Sequence, residues 1–235
     1  MPLATRRLYL FDAVTDKSAN ALVRELHDLE RLAPATPIEL YVNSDGGGLV
    51  AGLSVVDTMR QITSPVHTIC VGRCRSVAAA ILAAGEPGHR GVSVSARVGI
   101  NEPSCEGDSA TPTGPGQFTC ELLAQKFAAC QRKRQIWLSA LSSLSGQSPE
   151  SWNDTFQKSY PTEEIGIFGH GEEFDADAAV ELRLADFVLE GPAAVGLRRT
   201  DPEETVAPKR MYTGIWDGEY DSASGAEEHE EAHAA

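Results

Sequence analysis

The amino-acid sequence predicts an α/β protein with a largely parallel sheet, and three observations carry that prediction. Units of strand, turn and helix follow one another between residues 38 and 84, their turns hold Gly46-Gly47-Gly48 and Gly72, and their helical stretches repeat apolar residues at helical spacing. Successive units of this kind lay their helices over the faces of a parallel sheet.

Each element has its own signal. Arg7 to Phe11 reads as a short strand, and Ser18 to Leu32 as an amphipathic helix through Ala21, Leu22, Leu26, Leu29 and Leu32, closed by Pro34 and Pro37. Ile38 to Val42 is a strand running into Asn43-Ser44-Asp45-Gly46-Gly47-Gly48, and Val50 to Ile62 is a helix. The order repeats with a strand at Val66 to Val71, a turn at Gly72 to Arg75 and an alanine-rich helix from Ser76 to Ala84. Val92 to Val94 and Arg97 to Ile100 are further short strands, and Ser104 to Gly116 is loop by its Gly, Pro, Ser and Thr content. A long helix spans Phe118 to Leu144 and Gly146 closes it. A weaker helix at Pro149 to Gln157, an irregular stretch at Ser159 to Glu173, a helix at Ala176 to Leu184 and a strand at Phe187 to Leu189 complete the order.

Bulk properties exclude several function classes. At 235 residues the chain suits one α/β domain and a tail. No run of roughly 18 apolar residues occurs, and the start of the chain lacks the apolar core of a signal peptide, so a soluble cytoplasmic protein is expected. A formal charge of −14 repels phosphate backbones and anionic lipid, which argues against nucleic-acid and membrane-surface binding. Much of it lies in residues 201–235, where ten acids face only Lys209 and Arg210, a solvated acidic tail. The five cysteines form no CxxC pair and no metal-ligand spacing with histidine, so reduced structural thiols and no metal or other cofactor are expected.

In parallel sheets the working groups gather at the carboxyl ends of the strands. Both glycine turns lie there, which brings Gly47 and Ser76 together. Tyr41-Val42-Asn43-Ser44-Asp45-Gly46-Gly47, Asp57-Thr58-Met59, Thr68-Ile69-Cys70-Val71-Gly72, Ser76, Ala83-Ala84-Gly85 and Ala96 to Pro103 follow one another in an order that resembles the proteolytic subunits of the Clp protease family. The resemblance extends through the long helix and Ala176 to Asp186, covering residues 6 to 190. It implies a crotonase-like (ClpP-type) fold of repeated βα units with a protruding handle helix. The domain would occupy residues 1–190, with a head at about 6–116 and 174–190 and a handle at about 117–158, followed by a largely disordered acidic tail at 191–235. It also implies heptameric rings, paired into tetradecamers, built from this chain alone or mixed with paralogues and served by an AAA+ unfoldase. Only Met1 to Thr5 precede the first strand, so axial loops are expected to be short or absent.

A serine peptidase needs a hydroxyl, a base that takes its proton, a group that orients the base, and amide donors for the oxyanion. The family's nucleophile falls on Ser76, whose plainer reading is a helix cap. The oxyanion donors fall on the amides of Gly47 and Val77. Asp45 stands where the family has proline, Ala78 where it has glycine, and Arg75 where it has a small residue, a change expected to disturb the serine. The family's histidine falls on Asn101, and a carboxamide takes no proton near neutral pH. The aspartate falls on Gly171, and a slip of one or two positions would bring His170 or Glu172 there. His170 is therefore a candidate substitute base, with a glycine-flanked loop histidine as the preferred, plainer reading. The expectation is a degenerate, non-catalytic or weakly active subunit. Two alternatives stay open: an active serine endopeptidase with a displaced base, and a crotonase-like acyl-CoA-binding enzyme in which Glu102 would be the nearby carboxylate.

Overall fold

The computed structural model describes residues 6–103, 120–159 and 172–189. The elements run β1 (Arg7–Leu10), α1 (Asp16–Leu32), β2 (Ile38–Ser44), α2 (Leu49–Gln61), β3 (Val66–Arg75), α3 (Val77–Ala83), β4 (Arg90–Ser93), β5 (Arg97–Ile100), α4 (Cys120–Ser145), α5 (Pro149–Ser159), β6 (Glu172–Phe174), α6 (Ala176–Glu181) and β7 (Phe187–Leu189). The sheet order is β1-β2-β3-β4-β7, with β5 paired to β3 and β6 to β5. Every pairing is parallel except that of β5 with β6. This is the largely parallel α/β sheet that the βα order predicts, and it agrees with the crotonase-like (ClpP-type) fold that the resemblance implies.

Strand alternation explains how the sheet is covered. Ile38, Leu40 and Val42 of β2 are fully buried while Glu39 and Tyr41 stay partly exposed, so one face of the sheet meets the helices. Leu22 and Leu26 of α1, Val55 and Val56 of α2, and the whole of α3 pack into the same core. The small side chains of Ala78, Ala79 and Ala80 let α3 be buried on all sides.

Among the boundaries that differ from the sequence reading, four have a clear cause in the structure. Helix α1 starts two residues earlier, because Thr15 accepts from the Ser18 amide at 3.2 Å and the Ser18 hydroxyl accepts from the Thr15 amide at 2.9 Å. That is a capping box in which serine replaces the usual Glu or Gln. Gly72 to Arg75 is not a turn: β3 continues through it, Gly72 taking φ +92° where the pairing shifts from Val42↔Cys70 to Ser44↔Cys74. This bulge lets β3 pair with β4 over Thr68 to Cys70 and with β5 over Arg73 to Arg75. Helix α6 ends at Glu181 instead of Leu184, since Arg183 adopts φ 59° and breaks the spiral. Glu172 and Glu173, the end of the stretch read as irregular, are drawn with Phe174 into a strand by pairing with β5.

The thiols also differ in part. Cys70, Cys74 and Cys120 are free, and burial pushes the Cys74 thiol up, which makes it inert, but Cys130 is disulfide-bonded. Wide spacing in a sequence gives no sign of which thiols meet.

Two polar contacts close the fold. Arg90 grips Asp186 through Nε at 2.9 Å and Nη2 at 2.5 Å. Its Nη1 donates to the carbonyls of Ala83 at 3.2 Å, Arg183 at 3.0 Å and Leu144 at 3.4 Å. The Glu30 carboxylate accepts from the amides of Thr63 at 3.1 Å and Ser64 at 2.9 Å and from the Thr63 hydroxyl, tying α1 to the end of α2.

Both contacts are testable. Replacing Asp186 with Asn strands a guanidinium whose side chain is only 9 % exposed, and urea denaturation should show a loss of about 3 to 5 kcal/mol. The hydrogen bonds from Ser64 and Thr63 hold the Glu30 carboxyl down at about 2. A depressed carboxyl contributes stability above its ordinary range and loses it as pH falls. The stability difference between wild type and Glu30→Gln should therefore be constant above pH 4.5 and shrink as pH falls from 4.5 toward 2, read from thermal melts across that window.

Candidate functional site

The candidate site forms where β2, β3 and β5 end. Ser76 joins β3 to α3 with φ 52° and ψ −129°, a conformation that costs a non-glycine residue about 1–3 kcal/mol. Neighbours on both sides hold it there: its amide donates to the Gly99 carbonyl at 2.7 Å and its carbonyl accepts from the Ala79 amide at 3.0 Å. Its hydroxyl caps nothing, so the cap reading fails. The strained turn lifts the hydroxyl out of the backbone path at the start of a helix, the setting of a nucleophile elbow.

The glycine turn after β2 presses directly on this serine. A Cβ at Gly46 would lie 2.5 Å from the Arg75 carbonyl oxygen and 2.8 Å from the Ser76 Cβ, so no larger residue fits. Gly47 bridges to Val14 with φ +151°, and a Cβ there would meet the Val14 carbonyl oxygen at 2.2 Å. The bridge uses the Gly46 carbonyl and the Gly48 amide, at 2.8 Å each, and leaves the Gly47 amide unpaired among the described residues. The Val77 amide, at the first position of α3, is likewise free of any acceptor there. Two unspent N–H donors thus flank the serine turn. Gly46 was missed in sequence, although the run of three glycines was the signal for it.

Asn101 follows β5, and the register Arg73↔Arg97, Cys74↔Val98, Arg75↔Gly99 carries β3 and β5 side by side toward Ser76 and Asn101. The Asn101 Nδ2 donates to the Glu102 carbonyl at 2.9 Å, and the buried Trp137 of α4 donates from Nε1 to the Asn101 carbonyl at 2.9 Å. Glu102 pairs with Arg134 of α4 at 2.7 Å, and Arg134 also donates to Asn153 of α5. Both helices therefore set the position of the Asn101 segment. Strand β6 reaches it from the other side, its register ending with Glu172 opposite Ile100. Gly171 and His170 lie outside the described residues.

Arg75 does not stand as a free charge beside the serine. Its side chain crosses Gly99, where a Cβ would meet the Arg75 Cγ at 3.1 Å, and its Nε pairs with Glu173 of β6 at 3.3 Å. Asp45 lies 4.0 Å from the same guanidinium and 2.8 Å from that of Arg73. Asp45 and Arg75, two departures from the family pattern, thus belong to one chain of charges linking both turns to β6.

Other groups stand apart. His67 and His89 stack with ring centroids 4.1 Å apart, and burial followed by the neighbouring imidazole lowers His67 to about 4. His67 is the second residue of β3, at the end opposite Ser76. Among the described residues no group of three or more His, Cys, Asp or Glu side chains could hold a metal ion, and no helix is long and apolar enough to cross a membrane.

Comparison with known proteins matches residues 2–113 to the Clp protease family model, a span that includes Gly47, Ser76 and Asn101. The chain is 34% identical over 187 residues to ATP-dependent Clp protease proteolytic subunit 1 of Nocardia farcinica, covering 80% of this chain and 84% of that protein. It is 36% identical over 145 residues to proteolytic subunit 1 of Corynebacterium efficiens, covering 62% of this chain and 66% of the relative. Proteolytic subunit 3 of Nocardia farcinica is 36% identical over 146 residues, 62% of this chain and 63% of the relative. With a relative matched across 84% of its length and a strand-turn-helix serine set against a glycine turn, the chain belongs to the Clp protease family.

Proposed function

We propose that the chain is a ring-forming subunit of a Clp-type protease whose Ser-His-Asp triad is degenerate. The observation that carries this reading is Asn101 at the end of β5, beside the strand that delivers Ser76. Its carboxamide can donate and accept hydrogen bonds but has no lone pair basic enough to take the serine proton. Gly171, in the aspartate position, supplies no orienting carboxylate. The amides of Gly47 and Val77 act in this reading as the oxyanion hole. Such donors together with substrate binding leave roughly 10³ to 10⁴ over water when a triad member is removed.

The subunit contributes scaffold and chamber wall, alone or in mixed heptameric or tetradecameric rings with active paralogues, and an AAA+ unfoldase serves the assembly in the cytoplasm. Residues 1–190 form the domain and 191–235 the acidic tail. Helix α4 supports the ring reading: it is 26 residues long and leaves Phe127 65% and Ile136 40% exposed, apolar surface of the kind a neighbouring subunit covers.

Fluorophosphonate labelling tests the chemistry. Wild type should label no more than Ser76→Ala, and strong labelling lost in Ser76→Ala would sink the degenerate reading; its further loss in His170→Ala would identify the displaced base. Asn101→His should raise labelling by about 10²-fold, the low end for a general base, because no carboxylate orients the new imidazole. Sedimentation velocity tests the assembly: the chain with an active paralogue should run as a complex of seven or fourteen subunits, and two species that sediment as separate monomers would refute it.

A further inference from the structure

The start of β3 and the turn leading into β4 bring two histidines together, away from the serine. The rings of His67 and His89 stack with centroids 4.1 Å apart and planes inclined by 17°, and His67 is only 8% exposed. The His89 Nδ1 lies 3.3 Å from the Pro87 carbonyl oxygen, which can only accept, so that nitrogen carries a proton.

The charged groups around the pair are spent on one another. Glu39 of β2 stands opposite His67 in the sheet register, but its carboxylate accepts from Arg7 of β1 at 2.6 Å and from the Tyr41 hydroxyl at 3.4 Å. Arg90, next in the chain to His89, is paired with Asp186. Glu86 opens the turn, its amide donating to the Val66 carbonyl at 2.8 Å and its carbonyl accepting from the His89 amide at 2.9 Å. Among the described residues no carboxylate bonds either ring. One proton on the pair leaves a cation stacked on a neutral ring. Two protons set like charges face to face with no counter-charge bonded to them.

The turn also carries a structural contact. His89 lies between the amides of Gly88 and Arg90, which both donate to Asp186 Oδ2, at 2.8 and 3.0 Å. Its carbonyl accepts from the Thr68 amide at 3.2 Å. Driving the rings apart displaces His89, and with it the amides that seat Asp186 against Arg90.

We propose that the stack of His67 on His89 is an acid-sensitive latch on the turn between α3 and β4, closed while either ring is neutral and opened when both are charged. Opening loosens the Arg90 clamp on the carbonyls of Ala83 and Leu144, at the ends of α3 and α4. Burial and the neighbouring imidazole lower His67 from an ordinary 6.5 to about 4, so the closed form binds fewer protons than the open one. Closure therefore weakens as pH falls from 6.5 toward 4. The latch works whether or not Ser76 reacts.

Hydrogen exchange of the full chain at pH 7.5 and pH 5, corrected for intrinsic exchange rates, tests it. Protection of the Gly88 and Arg90 amides should fall about tenfold at pH 5, while that of β2 holds. His89→Phe keeps a ring against His67 that cannot be charged, and its turn should be equally protected at both pH values. His89→Gln, with no ring to charge, should likewise show no pH response. Glu30→Gln should respond as wild type, because the Glu30 window lies below 4.5. Equal protection of the wild-type turn at the two pH values overturns the proposal, as does a loss of wild-type size in either His89 variant.

Discussion

The fold depends on one buried ion pair, Arg90 with Asp186. A guanidinium has five donors in a fixed fork, and Arg90 spends them on the carboxylate and on carbonyls at the ends of α3, α4 and after α6. Asp186 returns the contact by accepting from the amides of Gly88 and Arg90. The carbonyls at a helix end have no partner within the helix, so this side chain satisfies groups that burial would otherwise strand. The long α4, the last strand and the central helix beneath Ser76 thereby share a single anchor.

The site is built on that rigidity. Ser76 can hold a strained backbone because β5 takes its amide, α3 takes its carbonyl and Gly46 fills the space behind it. The bulge at Gly72 matters in the same way: it turns the end of β3 away from β4 and onto β5, which brings the chain to Asn101. The unpaired amides of Gly47 and Val77 beside the serine are backbone groups, so side-chain change leaves them in place.

Substitutions that look disruptive one at a time are mutually satisfied in space. Asp45, Arg73, Arg75 and Glu173 come from the β2 end, the β3 end and β6, and each finds an opposite charge. The Arg75 side chain passes over Gly99, on the strand between it and Glu173, where a Cβ would crowd its Cγ at 3.1 Å. These pairs are partly exposed, so their effect on stability is modest and their effect on geometry is the larger one.

The sequence alone determined the βα order, the glycine turn at Gly47, the serine at Ser76 and the carboxamide at Asn101, because periodicity, glycine and residue chemistry are local properties. It did not disclose the continuation of β3 through Arg75, the short strand at Glu172, the role of Gly46, or the pairing of Arg75 with Glu173. Each of these depends on which strand lies beside which, and register is set by packing among residues far apart in the chain. Arg90 and Asp186 are 96 positions apart, and only the folded sheet brings them together.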